Sequence, residues 1–338
     1  MNLQTLQNTA QSLVVPHKGI LAADESFGTI EKRFKALGFE STEDTRRSYR
    51  EMLFTTPNTE EYVSGVILFD ETIRGNAGDG NNFARVLETK GIIPGIKVDK
   101  GTVELANFPG EKITEGLDGL RDRLAEYKNF GARFTKWRGV ITIGDGMPTD
   151  TCINSTAELL ARYAALAQEV DLIPIVEPEV LMEGDHDMET CRKVTYKTLK
   201  TVFMRLSDHK VHLSGMLLKP NMIVPGKGSG HLLNPSEVAD ATVHVLREVV
   251  PAEVPGIVFL SGGMSSVEAT SCLNEMNKNA DLPWQLSFSY GRALQEDAMK
   301  IWNGDNTNWE AGQKAFLHRA KMNSLARSGT YTADSENE

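Results

Sequence analysis

Residues 134–180, FTKWRGVITIGDGMPTDTCINSTAELLARYAALAQEVDLIPIVEPEV, hold the pattern that decides the fold. A run rich in apolar and β-branched residues, 134–141, gives way to a helix-like stretch at 157–169. A second apolar run follows at 172–176. Strand, helix, strand is the unit of a parallel α/β fold.

The unit repeats in both directions. Upstream lie the runs 19–23, 63–69 and 92–98, and downstream 213–218, 256–260 and 284–289, making about eight candidate buried strands. Helix-like stretches at 42–53, 117–127, 190–206 and 236–249 fall between them, the first opened by a Ser41-Thr42 cap ahead of Glu43 and Asp44. An open doubly wound sheet and a closed (β/α)₈ barrel both fit alternation. Eight even repeats in a chain somewhat longer than about 250 residues favour the barrel. No interdomain linker stands out, so residues 1–332 are expected to form one domain. Leu3, Leu6, Ala10 and Leu13 recur at helical spacing and predict an entry helix. The Gly-rich segment 225–230 is expected to be a mobile loop over a site, and 333–338 a disordered acidic tail.

Composition narrows the function. With 40% hydrophobic and 24% charged residues among 338, the chain is neither disordered nor fibrous. Its formal charge of −10 repels nucleic acid and anionic membrane surfaces, so an anionic ligand needs a local cationic pocket. Cys152, Cys191 and Cys272 are odd in number and lack CxxC spacing, which predicts neither disulfides nor a thiolate zinc site and fits a reducing compartment. No cationic leader precedes an apolar stretch, and no apolar run, such as 66–69, is long enough to span a bilayer. A cytoplasmic protein is expected.

Each apolar run ends in polar groups at its C-terminal edge, where barrel enzymes build their sites. In chain order these are Asp24-Glu25, Asp70-Glu71, Lys97 with Asp99 and Lys100, Lys136 with Arg138, Glu177 with Glu179, Lys219, Ser261, and Arg292 just after Ser289. Lys136 and Lys219 sit against apolar strand sequence, a costly place for an ammonium. Burial and neighbouring cations lower a lysine pKa, and such a lysine suits Schiff-base chemistry; a structural ion network with Glu177 or Glu179 is the competing reading. In an extended chain Glu177 and Glu179 point to one face, where crowded carboxylates raise each other's pKa. Spacing alone leaves open whether they carry protons or anchor the lysines. Ser261-Gly262-Gly263 and Ser289-Tyr290-Gly291-Arg292 follow the seventh and eighth runs, where barrels often bind phosphate. There is no GxxxxGK[ST], HExxH or GxSxG motif. Asp185-His186-Asp187 reads as a helix cap rather than a metal fragment. No metal and no cofactor are expected.

These blocks resemble class I (Schiff-base) fructose-bisphosphate aldolase along nearly the whole chain. The match rests on GILAADES at 19–26, GIKVDKG at 95–101, KWR at 136–138, IVEPE at 175–179, LLKPN at 217–221, FLSGG at 259–263 and FSYGRAL at 288–294. The resemblance implies a (β/α)₈ barrel that cleaves fructose 1,6-bisphosphate reversibly and without metal to dihydroxyacetone phosphate and glyceraldehyde 3-phosphate. It makes Lys219 the Schiff-base lysine, Glu177 the acid/base, Glu179 and Lys136 its charged neighbours, and Asp24 the aspartate near the C4 hydroxyl. One phosphate is expected at Ser261, Gly262, Gly263, Ser289, Gly291 and Arg292. The other is expected at Ser26, Thr29, Lys97, Arg33 and Arg138. A homo-oligomer, usually a tetramer, is also implied.

Three positions depart from the family pattern: Phe27 for the usual Thr, Met216 for a small hydroxyl residue and Met264 for Gln. Many relatives end in a tyrosine-bearing tail that assists proton transfer, whereas the last tyrosine here, Tyr331, aligns with an internal one; that step is expected to use water or another group, or to proceed more slowly. Open alternatives are a Schiff-base aldolase preferring sedoheptulose 1,7-bisphosphate or fructose 1-phosphate, and a barrel acting mainly as a protein-binding scaffold.

Overall fold

All eight apolar runs become strands of one closed parallel barrel. The computed structural model describes residues 1–278 and 281–337. Its strands are β1 (Gly19–Ala23), β2 (Val63–Leu68), β3 (Ile93–Lys97), β4 (Thr102–Glu104), β5 (Lys112–Thr114), β6 (Phe134–Ile141), β7 (Ile173–Val180), β8 (Leu217–Leu218), β9 (Gly256–Phe259) and β10 (Gln285–Tyr290). The barrel runs β1-β2-β3-β6-β7-β8-β9-β10 and closes on β1, while β4 and β5 form a separate antiparallel hairpin.

Local chemistry sets the boundaries. Thr42 and Thr45 cap each other's backbone at the start of the helix Glu43–Thr55. Asp187 accepts the Thr190 N–H at 2.8 Å to open the helix Met188–Asp208, as the cap reading expected. Two strands differ from expectation. The run at 172–176 continues as β7 to Val180, taking Glu177 and Glu179 into the ladder. The run at 213–218 pairs only at Leu217–Leu218, because Leu213–Gly215 is a 3₁₀ turn.

The lower half of the barrel is solid. Ile20, Ile67, Phe134, Ile175 and Val258 pack with Leu6, Ala10 and Leu13 of the helix Leu3–Leu13, which plugs the bottom. Each such large apolar side chain contributes about 1.5–3 kcal/mol by leaving water. Gly95 lacks a Cβ because the Phe134 ring occupies its place. The buried Arg327 guanidinium, donating to the Val14, Val15 and Leu286 carbonyls, ties the plug to β10 and the helix Trp309–Arg327. Burial without a carboxylate lowers its pKa to about 10.

The expected disordered tail has a different form in its described part. Ala333–Asn337 is a 3₁₀ turn in which Glu336 accepts the Tyr331 hydroxyl at 2.6 Å and pairs with the buried Arg319. These partners explain its order; Glu338 lies outside the described residues. The Gly-rich segment also differs from a free loop. Gly226, Lys227 and Gly228 donate backbone bonds to His186, Met182 and Gly184, at 2.7–2.8 Å.

Candidate active site

A cavity of about 460 Å³ opens at the C-terminal mouth of the barrel. The β6–β7 register sets Lys136 beside Ile175 and Arg138 beside Glu177. Alternation then sends Lys136 and Arg138, and likewise Glu177 and Glu179, into the cavity. Its wall also takes Asp24 and Ser26 from the end of β1, Thr29 and Arg33 from the helix Phe27–Ala36, and Lys97 from β3. Lys219 follows β8, Ser261 and Gly262 follow β9, and Ser289, Gly291 and Arg292 stand at the end of β10. Of the residues expected in the site only Gly263 stands off this wall. It continues the turn at φ 81°, a left-handed value that suits glycine.

The floor is a chain of four charges, three buried and Asp24 partly so. Lys136 Nζ is 2.7 Å from Asp24 Oδ2 and 3.3 Å from Glu177 Oε2, while Lys219 Nζ is 3.2 Å from Glu177 Oε1. Lys136, Glu177 and Lys219 are all at most 4% exposed, so water screens these contacts little. For Glu177 and Lys136 the charge balance follows the ion-network reading that the sequence left open. Burial raises the Glu177 pKa, but the Lys136 and Lys219 ammoniums outweigh it and leave the carboxyl below its usual range. Burial likewise lowers the Lys136 pKa, but Asp24 and Glu177 outweigh that and carry it above the ordinary lysine value. Asp24 shows the same balance: burial raises its pKa, Lys136 and Lys219 reverse the effect, and it ends well below the carboxylate range. The carboxylates are interleaved with cations, not crowded together. At rest Glu177 is an ionised acceptor and Lys136 a fixed ammonium.

Above the floor, the cations are tethered. Arg138 pairs with Glu179, whose pairing therefore differs from that of Glu177. Lys97 Nζ is 3.2 Å from Asp99, and Arg33 and Arg50 reach Glu25 at 2.6 and 2.7 Å. Asp99, Glu25 and Arg50 went unassigned in the sequence. Asp99 holds two parts of the site, since its second oxygen accepts the Arg138 N–H at 3.2 Å. The available signal was its i+2 spacing from Lys97 at a strand end. Arg50 gave none, as it arrives from the helix Glu43–Thr55.

In the cavity wall Arg292 makes no ion pair, and the buried Ser289 hydroxyl has no protein partner, among the described residues. An unsatisfied buried hydroxyl beside backbone N–H groups and an unpaired guanidinium is an anion receptor. The departing residues stay out of the cavity wall: Met216 and Met264 are buried, and Phe27 sits edge-on to Phe69 at 5.1 Å beneath Arg46. Among the described residues no group of three or more His, Cys, Asp or Glu is placed to hold a metal ion. No described helix is long and apolar enough to cross a membrane.

The chain is similar along its length to proteins of known family. The family description "Fructose-bisphosphate aldolase class-I" matches residues 5–338. A Xanthomonas campestris protein called probable fructose-bisphosphate aldolase class 1 is 54% identical over 98% of this chain and 99% of its own. Arabidopsis thaliana fructose-bisphosphate aldolase 4, cytosolic, is 52% identical over 95% of this chain and 82% of its own. A fructose-bisphosphate aldolase from Plasmodium falciparum, solved with TRAP and a small-molecule inhibitor, is 47% identical and superposes with a TM-score of 0.96 over 98% of this chain and 96% of its own. A barrel of this topology, with this set of charges at its mouth and relatives this close, belongs to the class I fructose-bisphosphate aldolase family of lyases.

Proposed function

We propose that the protein cleaves fructose 1,6-bisphosphate reversibly to dihydroxyacetone phosphate and glyceraldehyde 3-phosphate, without metal, through an iminium on Lys219. The observation that carries this reading is the Glu177 carboxylate set between two buried ammoniums, 3.2 Å from Lys219 and 3.3 Å from Lys136. Ionised Glu177 takes a proton from the Lys219 ammonium, and the freed amine attacks the ketose C2. The bound nitrogen passes a second proton to the C2 oxygen to give the carbinolamine, and Glu177 returns the first to that hydroxyl, so both leave with the oxygen as water and the iminium forms. Lys136, held as an ammonium, keeps positive charge at Glu177 throughout this exchange.

Ionised Asp24 accepts the C4 hydroxyl proton as the C3–C4 bond breaks. The bonding pair flows into the iminium and leaves an enamine; protonation at C3 and hydrolysis then release the ketose phosphate. The Leu260 N–H donates to the Pro220 carbonyl at 3.1 Å, which sets the Ser261–Gly262 turn next to Lys219. That turn, with Ser289, Gly291 and Arg292, suits the phosphate nearest the iminium carbon. Ser26, Thr29, Arg33, Lys97 and Arg138 suit the far one.

Trapping tests the reading. Borohydride reduction with dihydroxyacetone phosphate in EDTA should leave a stable adduct that peptide mass mapping assigns to Lys219. No adduct, with activity abolished by EDTA, overturns it. A preference for sedoheptulose 1,7-bisphosphate would appear as a higher kcat/KM, whereas fructose 1-phosphate, lacking one anionic end, should be the poorer substrate. A cytoplasmic location and a homotetramer of the 37.3 kDa chain complete the proposal, on the family resemblance and the cytosolic Arabidopsis relative. Light scattering tests the assembly.

A further inference from the structure

The geometry points to Lys227 as a second substrate-binding cation at the Ser261–Gly263 turn, a specificity residue for the phosphate nearest the iminium carbon. This rests on the aldolase reading above and adds a residue outside the motif blocks. An ideal Cβ built on Gly263 would meet Lys227 Cε at 2.7 Å, so the lysine stem lies directly against the turn and its ammonium is one bond further on. Lys227 is exposed, and among the described residues it makes no ion pair.

Its origin is fixed. The Lys227 N–H donates to the Met182 carbonyl at 2.8 Å, and a Cβ on the preceding Gly226 would collide with the Gly184 carbonyl. The loop is therefore pressed onto the loop after β7, with Lys227 aimed at Gly263. Charge balance gives the lysine a task. Glu179 Oε1 lies 2.8 Å from where a Gly262 Cβ would be, so a dianionic phosphate at this turn meets a carboxylate nearby. Arg138, the partner of that carboxylate, is committed to it. That leaves Lys227 against the turn, and Arg292 elsewhere in the cavity wall, as cations that carry no ion pair among the described residues. Two free cations on a flexible and a planar head match a phosphate dianion in charge.

The experiment compares the parent enzyme with Lys227→Met, which keeps the stem packed on Gly263, and with Lys227→Arg. In Lys227→Met, KM for fructose 1,6-bisphosphate and the half-saturating dihydroxyacetone phosphate concentration in borohydride trapping should both rise about 3- to 10-fold, the range of one partly exposed charge contact. kcat should change less than about two-fold, and Lys227→Arg should restore KM to near the parent value. A KM in Lys227→Met within two-fold of the parent overturns the proposal, as does an equal rise in Lys227→Arg, which would mark packing instead of charge. A parent that neither cleaves nor traps overturns the aldolase reading with it; an active parent whose Lys227→Met variant is unchanged overturns the role of Lys227 alone.

Discussion

The two ends of the cavity hold their positive charge in opposite ways. Where Ser26 and Thr29 stand, Arg33 and Lys97 each have a resident carboxylate, Glu25 and Asp99. Arg292, which the proposal assigns with the Ser261–Gly262 turn, has none among the described residues. A paired cation is aimed before any ligand arrives, but much of its charge is already answered. An unpaired one is looser and offers its charge whole. The difference teaches that ligand affinity should concentrate at the turn beside Lys219, while the far end chiefly sets orientation.

That contrast can be broken or sharpened by substitution. The largest effect is at the centre, where Lys219→Met should lower kcat by at least about 10⁴-fold by removing the nucleophile. Competition by inorganic phosphate should persist in that variant, because both ends survive; its loss would mean that the ends depend on the floor. Glu177→Gln should cost about 10²- to 10³-fold in kcat with a smaller change in KM. Arg292→Ala should raise KM about 100-fold and Lys97→Met about 10-fold, the spread expected of unpaired and paired charge contacts. The reverse order in steady-state kinetics would overturn the comparison.

Acid should weaken the floor in a defined direction. Asp24 and Glu177 have folded-state pKa values below their unfolded ones, so the stability they contribute is present above about pH 4 and lost as pH falls below it. Chemical denaturation between pH 7 and pH 3 should show that slope, and Asp24→Asn should flatten it; an unchanged slope refutes the assignment. The smallest effect serves as a control. Glu336→Gln, far from either end, should cost about 1–2 kcal/mol of stability by unpairing Arg319 while leaving KM unchanged.

Much of this arrangement is legible in the residues themselves, and the reason varies from place to place. Lys136, Arg138, Glu177 and Glu179 could be placed on one face because period-2 alternation is a local rule. The length of β7 was not legible, since its upper half is polar and an inward polar residue looks, in sequence, like the start of a loop. The hairpin Thr102–Glu104 with Lys112–Thr114 escaped for the same reason: its first strand is exposed on all three residues and buries no face to betray it. Pairings such as Arg50 with Glu25 join residues from different elements, and no spacing encodes them. The directions of the Glu177 and Lys136 pKa shifts stayed open in the sequence because like-charge neighbours along the chain were visible and opposite charges across the barrel were not.

The plugged bottom has a consequence for the order of events. With the helix Leu3–Leu13 seated under the strands and Arg327 tying it in place, the bottom of the barrel is filled by side chains among the described residues, and the cavity opens at the mouth. Whatever binds there enters and departs by the same door. In the proposed reaction one molecule is split in two, and the fragment nearer the rim must clear the passage before the one held on Lys219 can follow. Under the proposed cleavage, traffic through the well should be last in, first out: the aldehyde fragment departing ahead of the ketose phosphate, and in the reverse direction arriving after it.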